Sequence, residues 1–309
     1  MIDTLEEVSL ADRALVFGIG GGGDVVGAIP SARLLQQFGL EVVLGGVAWQ
    51  PVPRDVRPGP RSLDELTDVD VLGSHVGVAS GTTETVDGVA MAEGDVAALV
   101  DEPVLVLDIT DGPHALVDSL KEVLDELEID LVVGVDAGGD VLARGTEPGV
   151  RSPLTDATGL VVLEAIARPS LVGVIGYGSD GELTHDELDE ALAEVAARDG
   201  LIGAWGLTPR VRDELEGILE SVETEASRLP VLAVRGHFGT HDIRDGRRTA
   251  AIGPASTVTF YLDPEVLADR SLIVEVVRSV TNLEQAASRL HREGDHTELE
   301  AERRRLEET

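Results

Sequence analysis

The sequence predicts an α/β fold: a doubly wound, mostly parallel sheet with helices on both faces, in the Rossmann-like manner. Three observations predict it. Short apolar runs alternate with helical patterns along nearly the whole chain, several of those runs are continuous Val/Leu/Ile, and glycine-rich turns follow them. Alternating strand and helix patterns mark strand-helix-strand units. Uninterrupted apolar strands are expected where helices cover both faces of a sheet.

Taken in order, strands are expected at Ala14–Ile19, Glu41–Gly45, Val104–Ile109, Leu131–Val135, Leu171–Ile175, Val231–Val234 and Thr257–Leu262. Helices are expected near Val25–Phe38, His114–Leu127, Thr155–Ala167, His185–Ala197 and Arg210–Arg228. Two of them carry start signals: Thr184 with Glu187 spells a capping box, and Thr208-Pro209 puts a cap ahead of a proline at the first helical position. The stretch Pro51–Arg61 breaks the pattern and reads either as a surface excursion or as a flap whose Arg54, Arg57 and Arg61 reach an anionic ligand. Beyond Asp263-Pro264 the chain reads as helical. Residues 1–293 are expected to form a single α/β domain, with Gly294–Thr309 a charged, frayed tail.

Composition then removes whole classes of chemistry. A chain of 309 residues, 43% apolar, can bury a core without staples. It has no cysteine, which excludes disulfides, thiol nucleophiles and thiolate metal sites. The 58 acidic residues outnumber 24 basic ones, and a net charge of −34 disfavours nucleic acid as a partner. Lys121 is the only lysine, so Schiff-base and lysine-dependent phosphoryl chemistry are disfavoured, and no Walker A loop exists. Acid excess with so little lysine is the surface expected of a halophilic protein. The opening MIDTLEEVSLADR has no secretion-signal pattern and no apolar run reaches membrane length, so a cytoplasmic protein without a membrane partner is expected. A homo-oligomer is compatible with the sequence.

Two glycine-rich stretches carry the main functional signal: GIGGGGDVVGA at Gly18–Ala28 and GVDAGGDVLARG at Gly134–Gly145. Each ends an apolar strand and opens onto a Gly-Gly-Asp turn. Glycine lets backbone approach a ligand closely, and the C-terminal ends of parallel strands are where ligands bind. Gly20, Gly21, Gly22, Gly23, Asp24, Gly138, Gly139 and Gly178 are the candidate ligand-binding positions. Asp24, Asp136 and Asp140 are the candidate metal ligands, since a hard cation such as magnesium prefers carboxylate oxygen. The bland alternative is that Asp140 only caps the segment after it. A third loop, Gly176-Tyr-Gly-Ser-Asp-Gly-Glu182, delivers Asp180, and a fourth delivers Asp108 and Asp111. Four such strand ends predict one carboxylate-lined pocket.

Gly18, Gly20 and Gly23 also match the dinucleotide spacing G-x-G-x-x-G. Against that reading, the second strand ends in Gly45-Gly46 where a ribose-binding acid belongs, and Asp24 would repel a pyrophosphate. In RGHFGTHD, His237, His241 and Asp242 have metal-ligand or acid-base character, with a solvent-exposed turn as the alternative. Arg235, Arg244, Arg247 and Arg248 beside them could hold an anion. His75 is a weaker candidate, and His291 and His296 read as surface residues.

Read in order, GIGGGGDVVGA, GVDAGGDVLARGTE, the SPLTDA of Ser152–Ala157 and GYGSDGELT resemble an archaeal family catalogued as domain of unknown function 1152. The resemblance runs from Leu15 to Leu262; it implies an archaeal cytoplasmic protein and no particular reaction. The residues themselves point to an enzyme, a cation-assisted hydrolase or group transferase acting on a phosphorylated or nucleotide-like small molecule, with Asp140, Asp180 and His241 as the catalytic candidates and Mg2+ as the candidate cofactor. Two alternatives stay open, a non-catalytic metabolite-binding or regulatory module and a dinucleotide-dependent oxidoreductase.

Overall fold

The computed structural model describes residue 2 and residues 4–52, 54–293 and 296–307. Its strands are β1 (Arg13–Gly21), β2 (Glu41–Val47), β3 (Leu66–Gly73), β4 (Val76–Thr85), β5 (Val104–Leu107), β6 (Leu131–Ala137), β7 (Ser170–Ile175), β8 (Leu201–Gly206), β9 (Gly239–Ile243), β10 (Arg248–Ile252) and β11 (Val258–Leu262). Its helices are α1 (Leu5–Val8), α2 (Asp24–Gln37), α3 (Ala92–Ala97), α4 (Gly112–Glu126), α5 (Pro153–Ala165), α6 (His185–Ala197), α7 (Pro209–Ile218), α8 (Glu225–Val234), α9 (Pro264–Ala268), α10 (Leu272–Arg278), α11 (Leu283–Glu293) and α12 (Glu298–Glu307).

Nine strands form one sheet in the order β3-β4-β5-β2-β1-β6-β7-β11-β8, and β9 and β10 form a separate hairpin. The five central strands β5-β2-β1-β6-β7 run parallel. Both flanks are antiparallel: β3 and β4 beyond β5, β11 and β8 beyond β7. The sheet is therefore mixed, which corrects the expectation of a mostly parallel one. For β3 and β4 the physical reason lies in the connection: a parallel neighbour needs a crossover of about a dozen residues or more, and only Ser74-His75 join these two strands. At the other flank β11 inserts between β7 and β8 and runs antiparallel to both.

Side-chain alternation on the central strands feeds two cores. From β1, Leu15, Phe17 and Ile19 enter the core shared with α4, α5, α6 and α10, whereas Ala14 and Val16 enter the core shared with α2, α3 and α7. Helices thus flank the sheet on both faces, and full burial of each large side chain contributes on the order of 2 kcal/mol. The Thr184 capping box and the Thr208 cap both form.

Several elements differ from the sequence reading, and β3, β4, β8, β9, β10 and α3 are additional to it. Val231–Val234 is the end of α8 and not a strand; a short apolar run looks the same in a buried strand or a buried helix. The helix expected over Arg210–Arg228 is broken into α7 and α8, the second capped by Thr224, whose side chain accepts from Ser227 N. Within 294–309, residues 294, 295, 308 and 309 lie outside the described residues, but Glu298–Glu307 is helical. There Leu299 and Glu302 are buried, so an apolar anchor holds a segment whose charge predicted fraying.

Candidate functional site

The strand order runs outward in both directions from the β1–β6 pair: β2 and β5 follow on one side of β1, and β7 follows on the other side of β6. At the C-terminal ends of these two strands the glycine turns meet. Asp24 opens α2, and its Oδ2 accepts from Gly20 N at 3.2 Å. A Cβ on Gly20 would overlap that carboxylate. Gly22, at φ +69°, donates its N–H to Trp49 O at 2.5 Å, and Gly21 packs on the Trp49 side chain. Gly23 has no room for a Cβ beside Thr224, and Ser227 Oγ donates to its carbonyl at 3.2 Å. The amides of Gly20 and Gly22 are thus committed within the protein.

The second and third loops are zipped together. Gly138 N donates to Ile175 O at 2.9 Å and Gly178 N to Gly138 O at 2.7 Å. Gly138 at φ +144° and Gly139 at φ +119° take conformations that favour glycine, and a Cβ on Gly138 would strike the Asp180 carboxylate. Asp136, the penultimate residue of β6, accepts from Val141 N at 3.2 Å. Asp180 Oδ1 accepts from Glu182 N at 2.9 Å, and its buried Oδ2 has no hydrogen-bond partner.

One oxygen each from Asp24, Asp136 and Asp156 lies within 4.8 Å of the others, and all three residues are buried. Asp156 comes from the first turn of α5, and its Oδ1 is buried without a hydrogen-bond partner. Burial pushes the Asp24 carboxyl up to about 7. Burial first, then the neighbouring carboxylates, hold Asp136, Asp140 and Asp156 well above the usual range. Asp140 borders the group, near enough for Asp156 and Asp136 to raise its proton affinity, and accepts from Ser152 Oγ at 3.3 Å. Asp180 is raised to about 6 by burial and by Glu182. Glu182 itself goes the other way: burial raises it, but Arg248 at 2.7 Å, Ser152 Oγ and Arg151 N more than offset this.

Four buried acids with so little counter-charge cannot all ionise in the bare protein. They hold protons or they hold a cation, and the donor set is hard oxygen throughout.

Sequence reasoning missed Asp156, Glu182 and Glu298. Asp156 had a signal: it is an acid in PLTDATGLVVLEA, a helix otherwise buried almost to its end. Other candidates stand elsewhere. Asp108 is occupied by Leu63 N at 3.2 Å and by the Thr110 amide and hydroxyl. His241 lies on β9 with its ring 6.2 Å from that of His237 and its buried Nε2 without a hydrogen-bond partner; no contact joins it to the acids among the described residues. The loop after β2 is fixed by its own ion pairs, Arg54 with Asp95, Arg57 with Glu65, and the buried Arg61 with Asp55 at 2.7 Å. Arg235 pairs with Glu216, Arg247 with Asp245, and Arg248 with Glu182.

Fold and site together define an α/β protein with a mixed sheet and a buried aspartate cluster, able to hold a cation, at the C-terminal ends of its central parallel strands. Residues 15–306 match the family described as protein of unknown function DUF1152, and the chain belongs to that family. Searches of curated proteins and of solved structures gave no match. No helix among the described residues is long and apolar enough to cross a membrane.

Proposed function

We propose that the protein is a cation-assisted hydrolase or group transferase acting on a phosphorylated or nucleotide-like small molecule. The observation that carries this reading is the convergence of Asp24, Asp136 and Asp156, with the partnerless Asp156 Oδ1 buried among them. We read the five parallel strands as a doubly wound, Rossmann-like unit, and the crevice between β1 and β6 as its ligand position. Asp24, Asp136 and Asp156 would hold a divalent cation, magnesium first, with Asp140 beside them. Such an ion supplies charge neutralisation to a phosphoryl group.

Asp180 fits the acid-base role: its proton affinity lies close to neutrality, and its free Oδ2 can exchange a proton with an attacking water or hydroxyl. The committed amides of Gly20 and Gly22 argue that the first loop shapes the carboxylate cluster more than it cradles phosphate. The acid-rich surface and single lysine suit work in concentrated salt, as in a halophilic cytoplasm.

The test is titration calorimetry with magnesium and manganese on chelator-treated protein, followed by phosphate release from a panel of phosphomonoesters and nucleotides. Wild type is expected to bind one ion and Asp136→Asn to lose it along with turnover. Unchanged turnover in Asp136→Asn and Asp156→Asn would falsify the reading.

A further inference from the structure

The segment 151–153 forms one wall of the acidic site. Arg151 N and Ser152 N donate to Glu182 Oε2 at 2.6 and 3.0 Å, and Ser152 Oγ reaches both Glu182 and Asp140. Arg151 lines an open surface cavity of about 330 Å³ together with His296, Arg304 and Arg305 of the segment that ends in α12. An adjoining cavity of about 270 Å³ shares Arg151 and His296 with it.

Three guanidinium groups and an imidazole around one cavity invert the character of a chain with net charge −34. Two of them have no carboxylate partner among the described residues. Arg151 Nη1 donates to Val150 O at 2.7 Å, while Arg304 meets Glu300 O at 3.4 Å and His296 Nδ1 at 3.3 Å; among the described residues neither forms an ion pair. Elsewhere the acid excess supplies partners readily, as Arg33 shows with Glu102 and Glu214. Arg305 donates to Val52 O at 2.9 Å and lies within electrostatic reach of Arg247, Arg244 and Arg248 as well as of the Glu302 carboxylate. The one acid lining the second cavity, Glu147, is spent on the amides of Arg144, Gly145 and Thr146. Guanidinium groups gathered this closely repel one another, and an oxyanion with two or more charges relieves that repulsion through paired hydrogen bonds.

We propose that the cavity lined by Arg151, His296, Arg304 and Arg305 binds a phosphate oxyanion of two or more negative charges. Resting on the reading of the acidic site above, this makes the substrate class a diphosphate or polyphosphate compound, its non-reacting phosphate held by the arginines and its reacting end at the carboxylates.

Pyrophosphate is the probe. Calorimetric titration is run with chelator present and potassium chloride held constant, on wild type, Arg304→Ala, Arg151→Gln and Asp136→Asn, each checked for folding by circular dichroism. Wild type and Asp136→Asn bind pyrophosphate alike, while Arg304→Ala and Arg151→Gln bind it roughly tenfold or more weakly, about the loss of one charge-assisted hydrogen bond. Arg304→Lys recovers part of the affinity, and magnesium binding in Arg304→Ala stays at the wild-type level. No pyrophosphate binding by wild type, or equal binding by both arginine variants, overturns the proposal. Loss of magnesium binding in wild type with pyrophosphate binding retained overturns the reading of the acidic site and leaves the anion cavity standing.

Discussion

Glu298 places its carboxylate on Thr155, accepting from the Thr155 amide at 2.7 Å and from its hydroxyl at 2.5 Å, with Leu154 N a third donor at 3.1 Å. The first residue of α12 thereby caps the N-terminus of α5, where orphan N–H groups and the helix dipole favour a negative group. Glu298→Ala removes that cap one residue from Asp156. A loss of about 1–2 kcal/mol is expected, read from urea denaturation, with faster amide exchange in both helices. Exchange confined to α12 would show that α5 does not depend on the contact.

The acidic cluster fixes the sign of a pH dependence. Asp24 binds its proton up to about pH 7 in the folded chain against an ordinary value of 3.8. Between those values the unfolded chain has released a proton that the folded chain keeps. Stability in chelator therefore falls as pH rises from about 4 to about 7, by up to about 1.4 kcal/mol per pH unit for one such carboxyl. Asp136 and Asp156 act in the same direction. Denaturation midpoints of wild type against Asp24→Asn isolate the effect, and magnesium is expected to flatten the slope; a difference that grows in favour of wild type with rising pH would refute it.

Asp156→Asn separates folding from function. The amide is nearly isosteric and carries no charge, so relief of repulsion should raise the apo-protein's stability at neutral pH by about 1 kcal/mol or more. Divalent-ion affinity should fall roughly tenfold or more, since one hard anionic ligand is lost. Thermal melts with and without magnesium measure both: the variant melts higher in chelator and gains less from the ion.

Arg248 joins the β9–β10 hairpin to the fully buried Glu182 carboxylate. Arg248→Ala leaves that carboxylate with Ser152, two backbone amides and the more distant Arg244 at 4.0 Å, and is expected to cost about 2–4 kcal/mol, most of it the penalty of a buried, less compensated charge. Glu182→Gln in the same background should recover part of the loss. A double-mutant cycle with no coupling would mean that the hairpin is held by other contacts, such as His185 Nε2 with Ala251 O at 2.9 Å.

Much of the central sheet was legible because Val104–Leu107 and Leu131–Val135 are apolar on both sides of the strand, which only a covered sheet allows. The flanks were not. In β3, LTDVDVLG has acids and valines side by side on a mostly exposed edge, so its pattern carries little burial signal. Of the site, Asp24, Asp136, Asp140 and Asp180 were legible from the glycine turns that deliver them. Asp156 and Glu298 were not, because each belongs to a helix whose sequence explains itself without a ligand, and only the packing of α5 and α12 brings them to the cluster.

One consequence of α12 concerns how the protein is handled. This helix of 10 residues caps α5 through Glu298, accepts the buried Trp49 indole N–H and Gly59 N through Glu302, and sends Arg304 and Arg305 into the basic cavity. It works as a bolt thrown from the far end of the chain across three earlier segments. A tag, nick or truncation placed here on the assumption that the segment is dispensable would loosen the tryptophan, the helix that carries Asp156 and the arginine cavity at once.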